Sequence, residues 1–147
     1  MRRLLTIFAL VLVASSASAQ LPGLRKRGAP TQPVLTGIDA LRADFLAKSG
    51  ADTVYFGMDS AIISPPARAT LAAQAQWLRQ HPEVVVRIEG HGEPNDTRDH
   101  ALAMGARRAQ EVRDYLVLLG VPAVQLGTTS LGKERPGAPR VITVLVR

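Results

Sequence analysis

Cysteine is absent from all 147 residues of the chain. In an oxidising compartment this excludes disulfides, thiolate catalysis and thiolate metal sites, and we expect no lipid anchor on a cysteine. Long apolar runs are missing as well. The longest, residues 4–14, is well short of the ~20 residues that a membrane-spanning helix needs. We therefore expect a mature chain without disulfides and without a transmembrane segment.

A strong excess of one charge is also missing from most of the chain. The net charge is +6, but Arg2, Arg3 and the cluster Arg25-Lys26-Arg27 carry much of it. All 12 acidic residues and 13 of the 18 basic residues lie from Ile38 onward. A domain that binds phosphate backbones is normally strongly basic, so we expect no nucleic-acid partner.

The start of the chain has the features of an export signal. Arg2 and Arg3 precede the apolar run, and Ala17-Ser18-Ala19 offers small residues for cleavage before Gln20. This pattern predicts a cleaved signal peptide over residues 1–19. The expected location is the periplasm of a Gram-negative cell, with at most peripheral association with the outer membrane.

The remainder divides into a linker and one domain. Residues 20–37 contain several prolines, glycines and basic side chains without an apolar period, which predicts a linker. Residues 38–147 have the size and composition of a single globular domain.

Apolar residues at helical spacing predict three helices in this domain. The first is short and ends near Ser49-Gly50. The second starts at Ser64-Pro65-Pro66, where a capping side chain is followed by proline in the first turn. The third is capped by Asp96 or Thr97 and ends at Gly120. The side chains predicted to face the core are Ile38, Leu41, Phe45 and Leu46 on the first helix, Ala67, Leu71, Ala75 and Leu78 on the second, and Leu102, Ala109, Val112, Leu116 and Leu119 on the third.

Four segments have strand patterns. Residues 53–56 are β-branched and aromatic, residues 84–89 alternate with a period of two, and residues 128–132 and 141–146 follow the last helix. The predicted fold class is therefore α/β of the α+β type, in the order β-α-β-α-β-β. It has a mixed sheet with two main helices packed on one side.

The segment 89–116 reads Glu-Gly-His-Gly-Glu-Pro-Asn-Asp-Thr-Arg-Asp-His-Ala-Leu-Ala-Met-Gly-Ala-Arg-Arg-Ala-Gln-Glu-Val-Arg-Asp-Tyr-Leu. It resembles the signature of the OmpA-like C-terminal domain family: Gly-His-Thr-Asp, then Asn-x-x-Leu, then Arg-Arg-Ala-x-x-Val. Within the family the resemblance is greatest to the peptidoglycan-associated lipoprotein (Pal) type, although the lipid-anchor cysteine is missing. Further matches in family order are Val54-Tyr55-Phe56 with Asp59, Trp77-Leu78 and Gly132-Lys133-Glu134-Arg135-Pro136.

The resemblance implies a non-catalytic envelope protein that binds the diaminopimelate of the peptidoglycan stem peptide and links the outer membrane or periplasm to the cell wall. In the family, the aspartate of Gly-His-Thr-Asp and the arginine before alanine hold the ammonium and carboxylate ends of the ligand. Those positions are Glu93 and Arg108 here. Asp59 and the backbone amides near Thr97 are further candidate ligand-binding groups. No cofactor is implied, and other envelope proteins are candidate partners beside peptidoglycan.

The positions of the two neighbouring arginines on the third helix predict different roles. At ~100° per residue, Arg107 and Arg108 point in different directions, so both cannot serve one pocket. Arg108 lies close to the apolar stripe, at the margin between helix and sheet. A partly desolvated arginine needs an anionic partner, and without ligand we expect this partner to be Glu93.

Four positions depart from the family pattern in the region where binding is expected. Gly92 replaces a threonine, Glu93 is one methylene longer than aspartate, Ala101 replaces an asparagine, and Gly57 replaces an acidic residue. Each change removes a polar group or loosens the loop. An alternative function therefore stays open, in which a degenerate OmpA-like domain has lost wall binding and acts as a periplasmic protein-interaction module.

A metal or hydrolytic site is a further alternative. Imidazole and carboxylate groups that can bind zinc or transfer protons crowd within ten residues, at His91, Glu93, Asp96, Asp99 and His100. However, the helical His-Glu-x-x-His spacing and a nucleophile elbow are both missing. We therefore expect a polar loop, no metal and no enzymatic activity.

Overall fold

The structure is a computed structural model that describes residues 37–146. In chain order its elements are α1 (Gly37–Ser49), β1 (Thr53–Tyr55), α2 (Pro65–Gln80), β2 (Val86–His91), α3 (Arg98–Leu118), a 3-10 turn (Ala123–Gln125), β3 (Leu126–Gly132) and β4 (Arg140–Leu145). The predicted signal peptide lies outside the described residues, and so does the predicted linker except Gly37, which is the first residue of α1.

The four strands form one mixed sheet in the order β1-β4-β2-β3. The strand β4 pairs antiparallel with both β1 and β2, whereas β2 and β3 run parallel and are connected through α3. The predicted mixed sheet is confirmed. A helical crossover is what a parallel pair requires, because a tight turn can join only antiparallel strands.

One face of the sheet carries both long helices. A single apolar cluster contains Val86 and Ile88 of β2 and Leu145 of β4 together with Leu71 of α2 and Val112 of α3. Side chains two residues apart on a strand share a face, so both helices pack on the same side of the sheet, as predicted. No helix of the described residues combines the length and apolar character needed to cross a membrane.

The short helix α1 packs on α2 through an aromatic contact and a hydrogen bond. Phe45 is buried and meets the ring of Trp77 edge to face, with ring centroids 5.1 Å apart. The indole N–H of Trp77 donates to a carboxylate oxygen of Asp44 at 2.7 Å. A buried indole needs such a partner for its polar tip, and this pair attaches α1 to the domain.

The helix ends are set by capping residues. Ser64 Oγ accepts from the backbone N–H of Ala67 at 3.4 Å, with Pro65 in the first turn of α2. Thr97 Oγ1 accepts from the backbone N–H of His100 at 3.2 Å, so Thr97 rather than Asp96 caps α3. Gly120 follows α3 with φ +91°, a left-handed conformation that glycine adopts without steric cost.

The predictions that Leu46 on α1 and Leu102 on α3 face the core are wrong, because both side chains are exposed. Leu102 is exposed, whereas its neighbour Ala101 is fully buried. In the first half of α3 the buried positions are Ala101, Met104, Gly105 and Arg108, and Gly105 lies in backbone contact with Gly90 of β2. At Gly105 the helix therefore meets the sheet with backbone, whereas Leu102 lies on the exposed side of the helix.

Candidate functional site

Arg108 lies on the inner face of α3 and is fully buried. Its Nε donates to the carbonyl oxygen of Ser60 at 2.7 Å, Nη1 to that of His91 at 3.0 Å, and Nη2 to that of Gly57 at 3.2 Å. Nη1 and Nη2 also donate to the two carboxylate oxygens of Glu93, at 3.4 and 2.7 Å. A guanidinium has five N–H donors, and here each of the five has an acceptor within the domain.

The expected ion pair between Arg108 and Glu93 is present, but it lies deeper than predicted. The sequence suggested a partly desolvated arginine at the margin of the sheet, whereas 0% of the Arg108 side chain and 8% of the Glu93 side chain are exposed. The difference arises because the backbone between Gly57 and Ser60 covers the guanidinium from the side away from α3. Such a buried pair is stable only when its polar atoms are satisfied, as they are here.

The Glu93 carboxylate is held in its charged form. The hydrogen bond from Arg108 keeps the pKa of Glu93 below its ordinary value of 4.5. Burial opposes this shift, while the backbone N–H of Asp59, which donates to Oε1 at 2.8 Å, reinforces it. Glu93 therefore connects the loop after β1 to α3 through one carboxylate.

Asp59 is placed at the surface by this network. Its φ is +47°, a left-handed conformation that non-glycine residues adopt infrequently. Its side chain points to solvent and its Oδ1 lies 3.1 Å from His100 Nε2. The same nitrogen lies 3.3 Å from Oδ2 of Asp96, one turn earlier in the chain. Two carboxylates from different loops thus converge on one imidazole.

These groups line a surface cavity of about 340 Å³, which we call the acidic pocket. Its lining residues are Met58, Asp59, Glu93, Asn95, Asp96 and His100. Three of the six are carboxylates, and the charge of Glu93 is balanced from behind by Arg108. Asp59 and Asp96 therefore give the pocket an anionic character that favours a cationic group over an anionic one.

Thr97 lies next to the acidic pocket at the start of α3. Its hydroxyl oxygen accepts the N–H of His100, which leaves the hydroxyl hydrogen available as a donor. The first backbone N–H groups of a helix lack intrahelical acceptors and favour anions. The four residues predicted for ligand binding, Glu93, Arg108, Thr97 and Asp59, thus lie around one pocket, with Arg108 behind its wall.

Two of the family departures are structurally coupled. A Cβ added to Gly92 would lie 2.5 Å from the carbonyl oxygen and 2.6 Å from the Cα of Ala101, distances that real Cβ atoms do not show. The backbone after β2 thus touches the first turn of α3. Gly57, by contrast, is exposed, and a Cβ there would meet only Ser60 at 3.7 Å.

The five residues of the metal hypothesis are separated by burial and pairing. His91 is fully buried, and neither of its ring nitrogens has a hydrogen-bond partner. Glu93 is bound to Arg108, while His100 is half-exposed between Asp59 and Asp96. Within residues 37–146 no group of three or more histidine and acidic side chains is arranged to hold a metal ion.

The model of the OmpA family matches residues 55–142, which include the whole site. The chain belongs to the OmpA family. A relative from Mesorhizobium japonicum, named peptidoglycan-associated lipoprotein, is 39% identical over 135 residues, covering 87% of this chain and 80% of the relative. A protein of the same name from Rhizobium meliloti is 48% identical over 95 residues, covering 65% of this chain but only 53% of the relative.

A solved structure shows the same OmpA-family fold. The crystal structure of the peptidoglycan-associated lipoprotein from Burkholderia pseudomallei superimposes with a TM-score of 0.63 at 34% identity, covering 66% of this chain and 92% of that one. The resemblance read from the sequence motif, including its Pal type, is confirmed by these comparisons. The role of His100 between the two aspartates was not predicted. Its spacing to Asp96 was readable from the sequence, but the contact with Asp59 spans 41 positions.

Proposed function

We propose that this OmpA-family chain is a non-catalytic cell-envelope protein that binds peptidoglycan by recognising diaminopimelate in the stem peptide. The observation that carries the proposal is the acidic pocket, built at the family motif on the buried pair of Glu93 and Arg108. The relatives from Mesorhizobium japonicum and Rhizobium meliloti are both named peptidoglycan-associated lipoprotein.

The acidic pocket fits the ammonium end of such a ligand. Asp59 and Asp96 present carboxylate oxygens to one point in the pocket, at 3.1 and 3.3 Å from a shared nitrogen. An alkylammonium has three N–H donors and can serve both carboxylates and one further acceptor. The partial exposure of both side chains limits the cost of desolvating the ion pair.

The opposite end of the ligand is a carboxylate, and the start of α3 fits it. Thr97 offers a hydroxyl hydrogen there, beside the N-terminal N–H groups of a helix of 21 residues. Arg108 serves the site as a positioning residue, since its bonds to Gly57, Ser60 and Glu93 hold the walls of the pocket. Direct contact of Arg108 with the ligand carboxylate, as in the family, would require it to exchange one of its five bonds.

The proposal places the protein in the periplasm, where it associates peripherally with the outer membrane and contacts the cell wall. No cofactor enters it, and peptidoglycan is the principal partner. A second candidate function is a protein-interaction module that uses the same face. The exposure of the apolar side chains Met58 and Ile62, both in the segment between β1 and α2, favours this candidate.

Sedimentation with purified sacculi tests the proposal. The wild-type protein is expected to pellet with wall that contains diaminopimelate and to stay in the supernatant with lysine-type wall. The double variant Asp59→Asn, Asp96→Asn should lose binding while keeping the fold, because asparagine tolerates the positive φ of Asp59. Asp114→Asn, an exposed substitution on α3 away from the acidic pocket, is the matched control and should pellet as wild type does.

The result separates the two candidate functions. Equal pelleting with both kinds of wall, or undiminished pelleting of the double variant, would contradict diaminopimelate recognition in the acidic pocket. A wild-type protein that does not pellet with either wall would leave the protein-interaction module as the function that fits this face.

A further inference from the structure

The sheet has a second face, which points away from the long helices and which we call the open face. Val86, Ile88 and Leu145 lie in the core beneath the helices, so the strand residues next to them point the other way. Within residues 37–146 the helix α1 packs on α2, and none of the three helices covers the open face. The open-face residues used below are Tyr55 of β1, Arg87 and Glu89 of β2, and Arg140, Ile142 and Val144 of β4.

One buried carboxylate on the open face is shared by two arginines. Only 3% of the Glu89 side chain is exposed. Nε and Nη2 of Arg87 donate to its Oε1 at 2.9 and 2.7 Å. Nη1 of Arg135, in the segment between β3 and β4, donates to its Oε2 at 3.2 Å. The two guanidinium-bearing side chains are 49% and 60% exposed, so one carboxylate faces two accessible cations.

Arg140 adds a third guanidinium group. Its Nη1 donates to the carbonyl oxygen of Ala138 at 3.1 Å, and no carboxylate of residues 37–146 forms a salt bridge with it. The second acidic side chain on this side of the sheet is Asp52, at the start of β1, which accepts the hydroxyl of Thr53 at 2.7 Å. Three arginines thus stand against two carboxylates, and the open face favours an anionic partner.

His91 independently indicates that acceptors are missing on this face. It lies opposite Arg140 in the pairing of β2 with β4, and its side chain is fully buried. Neither ring nitrogen has a hydrogen-bond partner in the described part of the chain. A neutral imidazole has one N–H donor, and buried polar atoms nearly always have partners. Beside Arg140 the chain therefore supplies more donors than acceptors.

Apolar side chains are accessible between these cations. Tyr55 lies opposite Arg140 in the pairing of β1 with β4 and is 60% exposed, while Ile142 and Val144 are partly exposed. Tyrosine has an apolar ring and a polar hydroxyl, which suits the boundary between water and lipid. The aliphatic part of an arginine likewise packs on apolar surface while its charge stays in water. This combination fits an anionic lipid surface better than a purely polar acidic peptide.

We propose that the open face docks on an anionic phospholipid membrane, with Arg87, Arg135 and Arg140 against lipid phosphates and Tyr55 at the level of the headgroups. A guanidinium group can bind phosphate through two parallel hydrogen bonds. This inference rests on the peripheral membrane association proposed above, for which it names the surface, but not on diaminopimelate recognition. The acidic pocket includes His100 of α3, which packs on the other face of the sheet. One molecule can therefore contact membrane and wall together.

Vesicle flotation tests the docking. The protein is recovered from a periplasmic extract and mixed with vesicles of phosphatidylcholine, with or without phosphatidylglycerol. Wild type is expected to float with the phosphatidylglycerol vesicles alone. It should be released as the salt concentration rises from about 0.1 M to about 1 M, since the screening length then falls from about 10 Å to about 3 Å.

The double variant Arg135→Gln, Arg140→Gln should bind phosphatidylglycerol vesicles at least about tenfold more weakly than wild type. It keeps Arg87 as the partner of Glu89, so the buried carboxylate stays paired. Far-UV circular dichroism establishes that the variant is folded. Wild-type binding by the folded variant would overturn the proposal.

The matched control is the double variant Arg68→Gln, Arg107→Gln. It removes the same charge from exposed positions on α2 and α3, and it should float as wild type does. The N-terminal residues, including the basic cluster at 25–27, are identical in every variant. An equal loss of binding in both double variants would show that net charge rather than the open face binds the membrane, and would contradict the docking.

The absence of cysteine allows a dye to be attached at one chosen position. An environment-sensitive fluorophore on Tyr55→Cys should shift its emission to the blue when phosphatidylglycerol vesicles are added. The same fluorophore on Asp114→Cys, an exposed position of α3, should not respond. A response at position 114 without one at position 55 would place the membrane on the helices and overturn the proposal.

The membrane and wall experiments have separate outcomes. A wild-type protein that pellets with sacculi but does not float with phosphatidylglycerol vesicles would refute the docking and leave diaminopimelate recognition intact. In that case an acidic protein becomes the partner that fits the open face. Flotation that depends on Arg135 and Arg140, without pelleting with either kind of wall, would support the docking while contradicting diaminopimelate recognition.

Discussion

Gly92 lies in backbone contact with Ala101, so the end of the second strand and the first turn of the third helix meet without an intervening side chain. Both residues replace larger polar residues of the family pattern. Because an added Cβ at Gly92 would meet the backbone of Ala101, position 92 cannot regain its family side chain without moving backbone. The site of this chain is therefore built on a close approach of helix and strand.

Gly92→Ala is expected to destabilise the domain by about 1–3 kcal/mol, as overpacking of a tight contact does. The added Cβ would meet the backbone of Ala101, which cannot rotate away as a flexible side chain would. Gly57→Ala is the matched control, because its Cβ would make only an ordinary contact with Ser60. Urea unfolding followed by circular dichroism measures both. Equal stability of the two variants would show that the backbone segments at Gly92 and Ala101 move apart at little cost.

Arg108→Ala is expected to lower the free energy of unfolding by about 3–5 kcal/mol, since it leaves the Glu93 carboxylate buried without its partner. Three carbonyl acceptors, on Gly57, Ser60 and His91, lose their donor as well. The neighbouring Arg107 is exposed, and Arg107→Ala should change stability by no more than about 0.5 kcal/mol. Chemical denaturation of both variants measures their free energies of unfolding. A small effect of Arg108→Ala would mean that water replaces the guanidinium.

More of the fold than of the site could be predicted from the sequence, for a physical reason. Ser64-Pro65-Pro66 and the apolar spacing of α2 are local signals, and the structure matches them closely. Leu102 was misassigned because its apolar side chain continued the stripe, whereas the contact with the sheet is made by backbone at Gly105 and Ala101. Small residues carry little hydrophobic signal, so periodicity does not reveal such contacts.

The site depends on loops that meet only in the folded chain. Glu93 and Arg108 could be paired in advance because both belong to one motif. The backbone of Gly57 and Ser60 also accepts hydrogen bonds from the guanidinium of Arg108. These contacts could not be predicted, because they join positions about 50 residues apart whose loop conformation has no local signature. The same holds for the convergence of Asp59 and Asp96 on His100.

Acid should destabilise the domain through Glu93. The folded pKa of this carboxyl lies below its ordinary value of 4.5, so its contribution to stability is present above about pH 4.5 and is lost as pH falls through the lower folded value. The double variant Glu93→Gln, Arg108→Met should show a shallower loss of stability below about pH 4.5. Unfolding free energies measured across this range test the expectation. Parallel curves for variant and wild type would assign the acid sensitivity to other carboxyls.

His91 should produce a separate loss of stability at milder pH. Burial, and then the charge of Arg140, keep the pKa of His91 below its ordinary value of 6.5. In this pH range the unfolded chain therefore binds a proton at His91 that the folded chain does not bind. Stability decreases as pH falls from about 6.5 towards the folded pKa. His91→Phe should abolish this slope, whereas the exposed His100→Gln should retain it. Thermal melting at a series of pH values provides the measurement.

The signal peptide over residues 1–19 stays a prediction of the sequence. The exported protein is expected to begin at Gln20, because the small residues Ala17 and Ala19 precede that position in the manner of a signal-peptidase site. Intact-mass spectrometry of protein recovered from a periplasmic extract gives the N-terminus directly. A mass that retains residues 1–19 would refute cleavage.

The order of the strands in the sheet sets the time at which the domain can fold. The fourth strand comes after the others in the chain but lies between the first and the second in the sheet. During synthesis from the N-terminus, the first strand and the pair formed by the second and third have no common hydrogen-bond partner until residues 140–145 emerge. Closing these distant pairings is slow, because loop entropy must be overcome before the contacts form. Closure of the sheet therefore waits until the fourth strand has been synthesised.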